Sequence, residues 1–267
     1  MTDIITKDIT CKGGMPAFIA APKTDRKVPA IVILHERYGL VQHTKDLAMR
    51  HAREGLVCIA GDYFFRHPDQ AALHKGDVGY DMTDPESLEL MLAAIEALKD
   101  VPQADMDRIA CMGVCQTGRH PLVLAANRPI AAALCWYGAA QDREWEVNKR
   151  YPVGLEELIK KVECPVLGVF GELDHIISID HVRRFRNTLE KHGKTHHVEM
   201  FGGAPHGWLN DTMPGRYRKG PAEAAWAMQR AFLARVLAPD YDRTYIQQSY
   251  KAEISPAYDF KKNVRLE

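Results

Sequence analysis

From residue 28 to residue 237 the chain alternates short runs of β-branched and other apolar residues with stretches whose apolar residues recur at helical spacing. That alternation admits few folds. A strand that is apolar on both faces must be covered on both faces, which is how a mostly parallel sheet joined by crossover helices is built. Strands are expected at 15–21, 28–35, 56–61, 108–114, 130–137, 165–170 and 196–201, in a sheet of about eight. Helical spacing appears at 44–54, 85–100, 117–127, 179–192 and 222–237. Two stretches break the rhythm, 63–83 and 138–152, and insertions beside the carboxyl end of a strand usually shape a cleft. The expected architecture is one α/β domain over 1–238. The polar, tyrosine-bearing stretch 239–267 shows no periodicity and is expected to pack on the domain or at a subunit contact, so a homo-oligomer stays open.

Composition narrows the partners. Thirty-five basic residues balance 35 acidic ones, so no global field draws the chain to nucleic acid or to an anionic membrane surface. The start, MTDIITKDITCKGG, has no apolar stretch behind its charges, and no apolar run approaches the ~20 residues that span a bilayer. A cytoplasmic protein is expected. The six cysteines show no paired C-x-x-C spacing, which favours reduced thiols over disulfides or a zinc cage. His196 and His197 are neighbours in a strand and point to opposite faces, so they cannot share a metal. No metal and no cofactor are expected.

The chemistry concentrates where a predicted strand runs into Gly113-Val-Cys-Gln-Thr-Gly118 and then a helical pattern. This arrangement resembles a nucleophile elbow, a strained turn that needs small residues around a nucleophile presented at a helix start. The helix dipole and nearby N–H groups favour an anion there, so Cys115 is the candidate nucleophile. Asp174, in Phe170-Gly-Glu-Leu-Asp-His175, follows an apolar strand and can hold one histidine tautomer. His206, in Phe201-Gly-Gly-Ala-Pro-His-Gly-Trp208, again lies just past a strand. Nucleophile, acid and histidine therefore occur in the chain order that an elbow-bearing fold uses.

These motifs, preceded by Ile31-Val-Ile-Leu-His-Glu-Arg-Tyr-Gly39 and Gly61-Asp-Tyr-Phe-Phe-Arg66, resemble the dienelactone hydrolase family of α/β-hydrolases over roughly residues 10–237. The resemblance implies a single α/β-hydrolase domain with a Cys115–His206–Asp174 triad and no metal or organic cofactor. It implies hydrolysis of an enol-lactone or a similarly activated small ester through a cysteine thioester. Glu36 matches the family's glutamate beside the resting nucleophile, and the backbone N–H groups of Arg37 and Gln116 match the oxyanion hole.

The departures bear on substrate. Thr117 stands where the family commonly has glycine, and Arg119 and His120 occupy a usually small-residue helix start. Enzymes that process dienelactone itself hold its carboxylate with arginines, one of them four residues after the catalytic histidine; here that position is Asn210. Arg66, Arg119 or Arg37 could supply a cation instead, and His120, Tyr38 and Trp208 complete the expected substrate-binding set. The alternative is a catalytically silent or thiol-based small-molecule-binding relative on the same fold, including a peroxide-sensing thiol with Cys111 as its neighbour.

Overall fold

In the computed structural model, which describes residues 3–266, nine strands and seven helices follow one another in chain order. Strands β1 (Ile4–Thr10), β2 (Pro16–Pro22) and β3 (Val28–Leu34) precede helix α1 (Gln42–Arg53) and β4 (Val57–Gly61). Helices α2 (Gln70–Lys75) and α3 (Asp84–Leu98) lead to β5 (Ala104–Val114), α4 (His120–Asn127) and β6 (Ala132–Trp136). Helix α5 (Leu155–Lys161), β7 (Val166–Leu173), α6 (Ile179–Lys191), β8 (His196–Pro205), α7 (Lys219–Val236) and β9 (Gln248–Ala252) complete the chain.

The sheet runs β1-β2-β4-β3-β5-β6-β7-β8-β9. Its first two pairings are antiparallel and the rest are parallel. Along β3 the side chains alternate between two cores: Ala30, Val32 and Leu34 face the layer of α3, α4, α5 and α6, while Ile31 and Ile33 face α1 and α7. Both faces of the central strands are thus dry, the physical reason for their uninterrupted apolar sequence. Among the described residues no helix is long and apolar enough to cross a membrane.

Helix starts follow local chemistry. Thr83 accepts a hydrogen bond from the Glu86 N–H at the start of α3, and Ser178 accepts from the His181 N–H at the start of α6. Each satisfies a donor that the first helical turn leaves open. The helix expected from Thr117 instead begins at His120, after a short 3-10 turn over Cys115–Thr117, and Pro121 sits in its first turn, where a missing N–H costs nothing.

Two strands were not expected. β1 exposes most of its side chains and β9 reads Gln-Ser-Tyr-Lys-Ala. Both are edge strands held by main-chain pairing, so neither needs an apolar pattern. β9 lies parallel to β8, from the His196–Gln248 pair to the Met200–Ala252 pair. Beyond β9 the chain turns back toward the carboxyl ends of β7 and β8.

Candidate active site

Cys115 lies at the carboxyl end of β5 with φ 58°, a left-handed conformation that a non-glycine residue rarely adopts. The neighbouring glycines make this possible. A Cβ on Gly113 would collide with the Thr117 carbonyl oxygen, and one on Gly118 would come within 2.7 Å of the Gly138 Cα. Thr117, the departure from the family pattern, fastens the turn. Its hydroxyl accepts from the Val114 N–H at 3.0 Å and lies 2.8 Å from the His35 carbonyl oxygen, to which it donates.

Strand pairing assembles the other two members. In the β7–β8 ladder Leu173 pairs with Pro205, so the residues that follow, Asp174 and His206, emerge side by side. His206 Nδ1 lies 2.7 Å from Asp174 Oδ2, and His206 Nε2 lies 3.0 Å from Cys115 Sγ. The other Asp174 oxygen accepts from the Ile176 and Ile177 N–H groups, which leaves the carboxylate one orientation. Burial alone would disfavour a charged His206. The Asp174 carboxylate, the Cys115 sulfur and their hydrogen bonds outweigh it and hold the imidazole well above its ordinary pKa.

Glu36 is buried in the loop after β3. One oxygen accepts from Asn210 Nδ2 at 2.7 Å and the other from the Tyr137 hydroxyl at 3.3 Å. Burial, then the charge of Glu36, pushes the Tyr137 phenol well above its usual pKa, so it stays a donor. Tyr137 itself has φ 36° and sets its ring edge to face against His206, 5.2 Å between centroids. Neither Tyr137 nor the pairing of Asn210 with Glu36 was legible in sequence, because both contacts join residues more than 100 positions apart.

His35 is a second residue the motifs did not mark. Its Nε2 accepts from the Tyr63 N–H at 3.0 Å, so its proton sits on Nδ1, which donates to the Glu36 carbonyl oxygen at 2.6 Å. Full burial lowers its pKa and keeps it neutral in that tautomer, although Asp62 pulls the other way. The Glu36 carbonyl and the Arg37 N–H belong to one planar peptide. Fixing the oxygen therefore aims the N–H in the opposite direction.

The cleft over Cys115 has two lobes that share Arg37, Cys115, Ile176 and His206. One, about 460 Å³, is lined in addition by Glu36, Tyr38, His175, Arg216 and Arg265. The other, about 690 Å³, is bounded by Tyr80, Asp81, Gln116, Gln141, Arg143 and Arg150. Tyr38 is thus at the site, and its hydroxyl accepts from Arg216 at 3.3 Å. Arg37 contributes mainly backbone, since its guanidinium donates to the Gly76 carbonyl oxygen at 3.0 Å.

Four expected substrate-binding residues lie elsewhere. Arg119 is buried with both Asp84 oxygens on its guanidinium, donates to the carbonyl oxygens of Glu144 and Val153, and stacks over Tyr151. It ties the start of α3 to the 138–152 insertion. His120 is buried beside the same carboxylate, 3.8 Å away, and burial and then Arg119 hold its pKa well down. Arg66 is drawn to the protein surface by Glu86 and Glu89 on α3. Trp208 is fully buried among Trp136, Tyr137 and Phe201. Sequence adjacency to a motif suggested these four, but the turns between direct their side chains into the core or along α3.

All six cysteines are free thiols. Cys111 is fully buried against the Met91 sulfur at 3.8 Å, and burial lifts its pKa well above the usual value. Among the described residues no group of three or more His, Cys, Asp or Glu is placed to hold a metal ion.

The profile described as the dienelactone hydrolase family matches residues 15–237. A Methylorubrum extorquens AM1 protein provisionally designated a carboxymethylenebutenolidase is 27% identical, with 80% of this chain and 74% of that one covered. A protein of the same provisional designation from Saccharolobus solfataricus is 26% identical, covering 82% and 93%. The crystal structure of a provisionally designated dienelactone hydrolase from Klebsiella pneumoniae superposes with a TM-score of 0.76 at 26% identity, covering 87% of this chain and 99% of that one.

Proposed function

The chain belongs to the dienelactone hydrolase family, and on that premise we propose that it opens small lactones or activated esters with Cys115 as nucleophile. The carrying observation is that one imidazole, His206, touches the Cys115 sulfur with one nitrogen and the Asp174 carboxylate with the other. That is the geometry of an activated nucleophile with an oriented base.

In the proposed cycle His206 holds the proton of Cys115, and the thiolate attacks the substrate carbonyl carbon. Negative charge moves to the carbonyl oxygen, where the N–H groups of Arg37 and Gln116 receive it. His35 serves as a positioning residue through the Glu36–Arg37 peptide. Collapse breaks the ring or ester C–O bond, and the departing oxygen takes the proton from His206 Nε2. The thioester then reacts with water, which gives a proton to His206 as its oxygen bonds to the acyl carbon. Expulsion of the Cys115 thiolate completes the turnover. Glu36 occupies the same lobe as Cys115, its carboxylate held by Asn210 and Tyr137.

The reading is tested with a neutral aryl ester and a simple lactone. Wild type is expected to turn over both, and a hydroxylamine-sensitive acyl group should be found by mass spectrometry on the peptide containing Cys115. Full activity in Cys115→Ala would remove the mechanism.

A further inference from the structure

Neither helix nor strand forms between α2 and α3, and among the described residues no main-chain hydrogen bond joins residues 78–82 to the rest of the backbone. Side chains hold this segment instead, on alternate carbonyl oxygens. Arg37 Nη2 donates to the Gly76 carbonyl at 3.0 Å and lies 3.5 Å from that of Val78. Gln116 Nε2 donates to the Tyr80 carbonyl at 2.5 Å, and Arg150 Nε to the Met82 carbonyl at 3.1 Å. The start of the segment is fixed as well, because Gly76 has φ 80° and a Cβ on it would lie 2.6 Å from the Tyr38 ring.

Two of these three donors, Arg37 and Gln116, are the residues whose backbone N–H groups are assigned to the oxyanion in the cycle above. They lie on different loops, after β3 and after β5. Thr117 joins the two loops on the buried side through its hydrogen bond to the His35 carbonyl oxygen. Residues 76–82 join them on the outer side, where Gly79 and Asp81 are exposed. Gly79, Tyr80 and Asp81 also line the larger lobe. An oxyanion donor works over a narrow range, about 2.7–3.1 Å from the oxygen, so the spacing of the two loops has to be held across the cleft. A side chain anchored at its far end restrains rotation about the N–Cα bond of its own residue, and with it the direction of the N–H.

We propose that residues 76–82 brace the oxyanion hole, with Arg37 and Gln116 as positioning residues. Their side chains, tied to one segment, hold the backbone N–H groups of the same two residues at a fixed spacing. The role given to those N–H groups rests on the hydrolase reading above.

The test compares two reactions of Cys115, each followed by mass spectrometry on the peptide that contains it. With p-nitrophenyl acetate the thiolate sulfur bonds to the carbonyl carbon, an oxyanion forms, and p-nitrophenolate leaves. Iodoacetamide alkylates the sulfur with loss of iodide and forms no oxyanion, so the ratio of the two rates cancels the reactivity of the thiol. The acylation-to-alkylation ratio is expected to fall roughly five- to twentyfold in Arg37→Leu and in Gln116→Leu, less than the ~10²-fold loss of an entire donor. Gln116→Glu, of equal size but without the donor, should match Gln116→Leu, and Arg37→Lys should recover part of the ratio. Because both tethers end on one segment, the double variant should fall little further than either single one. Ratios equal to wild type, or losses that multiply in the double variant, would overturn the brace. In Arg37→Leu, hydrogen exchange should quicken over 36–38, 76–82 and 115–118 together, and a change confined to 76–82 would also overturn it. A wild-type Cys115 that is alkylated but not acylated would count against the hydrolase reading, and the exchange result would then decide the brace.

Discussion

Asn210 donates a 2.7 Å hydrogen bond to Glu36, joining the loop after β8 to the loop after β3. The Asn210 side chain is therefore committed to an internal carboxylate. Replacing Asn210 by Ala leaves a buried carboxylate oxygen without its donor and is expected to cost about 1–3 kcal/mol. Urea unfolding monitored by tryptophan fluorescence measures this. Stability equal to wild type would mean that water replaces the amide at no loss.

Asp174→Asn should preserve the fold and lower kcat for ester hydrolysis by roughly 10²–10⁴, because the amide can bind the wrong histidine tautomer and cannot stabilise the imidazolium. Steady-state kinetics with an aryl ester provides the check. A change in KM alone would remove Asp174 from the catalytic group.

His35 should report on the proposed oxyanion peptide. His35→Leu removes the donor to the Glu36 carbonyl, frees the Glu36–Arg37 peptide to rotate, and is expected to lower kcat on the order of 10²-fold with little effect on KM. His35→Gln keeps a donor of similar reach and should recover a substantial part of that loss. Equal kcat in the two variants would contradict the positioning role.

Arg119→Met is expected to destabilise the protein by about 3–5 kcal/mol, since it leaves Asp84 buried without its partner. Arg119→Lys should not rescue it, because an ammonium cannot span the two Asp84 oxygens and the carbonyl oxygens of Glu144 and Val153 together. Thermal unfolding of the two variants is the measurement. A Tm within a degree or two of wild type in either would refute the structural assignment.

His51 sets part of the acid sensitivity. Its Nδ1–H donates to the Leu47 carbonyl oxygen and its Nε2 accepts from Gln229, whose amide oxygen accepts from Trp136. Burial lowers its pKa to about 4. As pH falls from about 6.5 the unfolded chain binds a proton that the native chain refuses, so stability falls until the folded value is reached. The loss is about 3 kcal/mol from this group over that window. Urea unfolding between pH 4 and 7 should show a shallower pH dependence in His51→Asn than in wild type, and parallel curves would argue against it.

The alternation of apolar runs and helical patterns determined the layered α/β architecture, because strands buried on both faces must be apolar throughout and leave that mark in sequence. The elbow glycines 113 and 118, Cys115, Asp174 and His206 were legible for a related reason. Each sits at the end of a strand where the turn demands a particular residue type.

Tertiary structure decided what depends on contacts between distant segments. It placed Arg119 and His120 in the core, because Asp84 lies across from them on α3, and it turned Arg66 toward Glu86 and Glu89 on the surface. It brought Tyr137 and Asn210 to Glu36, and Arg216 and Arg265 to the lobe beside Cys115. The polar segment after residue 238 carried no periodicity, since an edge strand and a surface wrap are held by main-chain bonds that any side chain permits. The cysteine and its partners could thus be read from local pattern. The charge lining their cleft comes from segments far apart in the chain, which only the tertiary structure brings together.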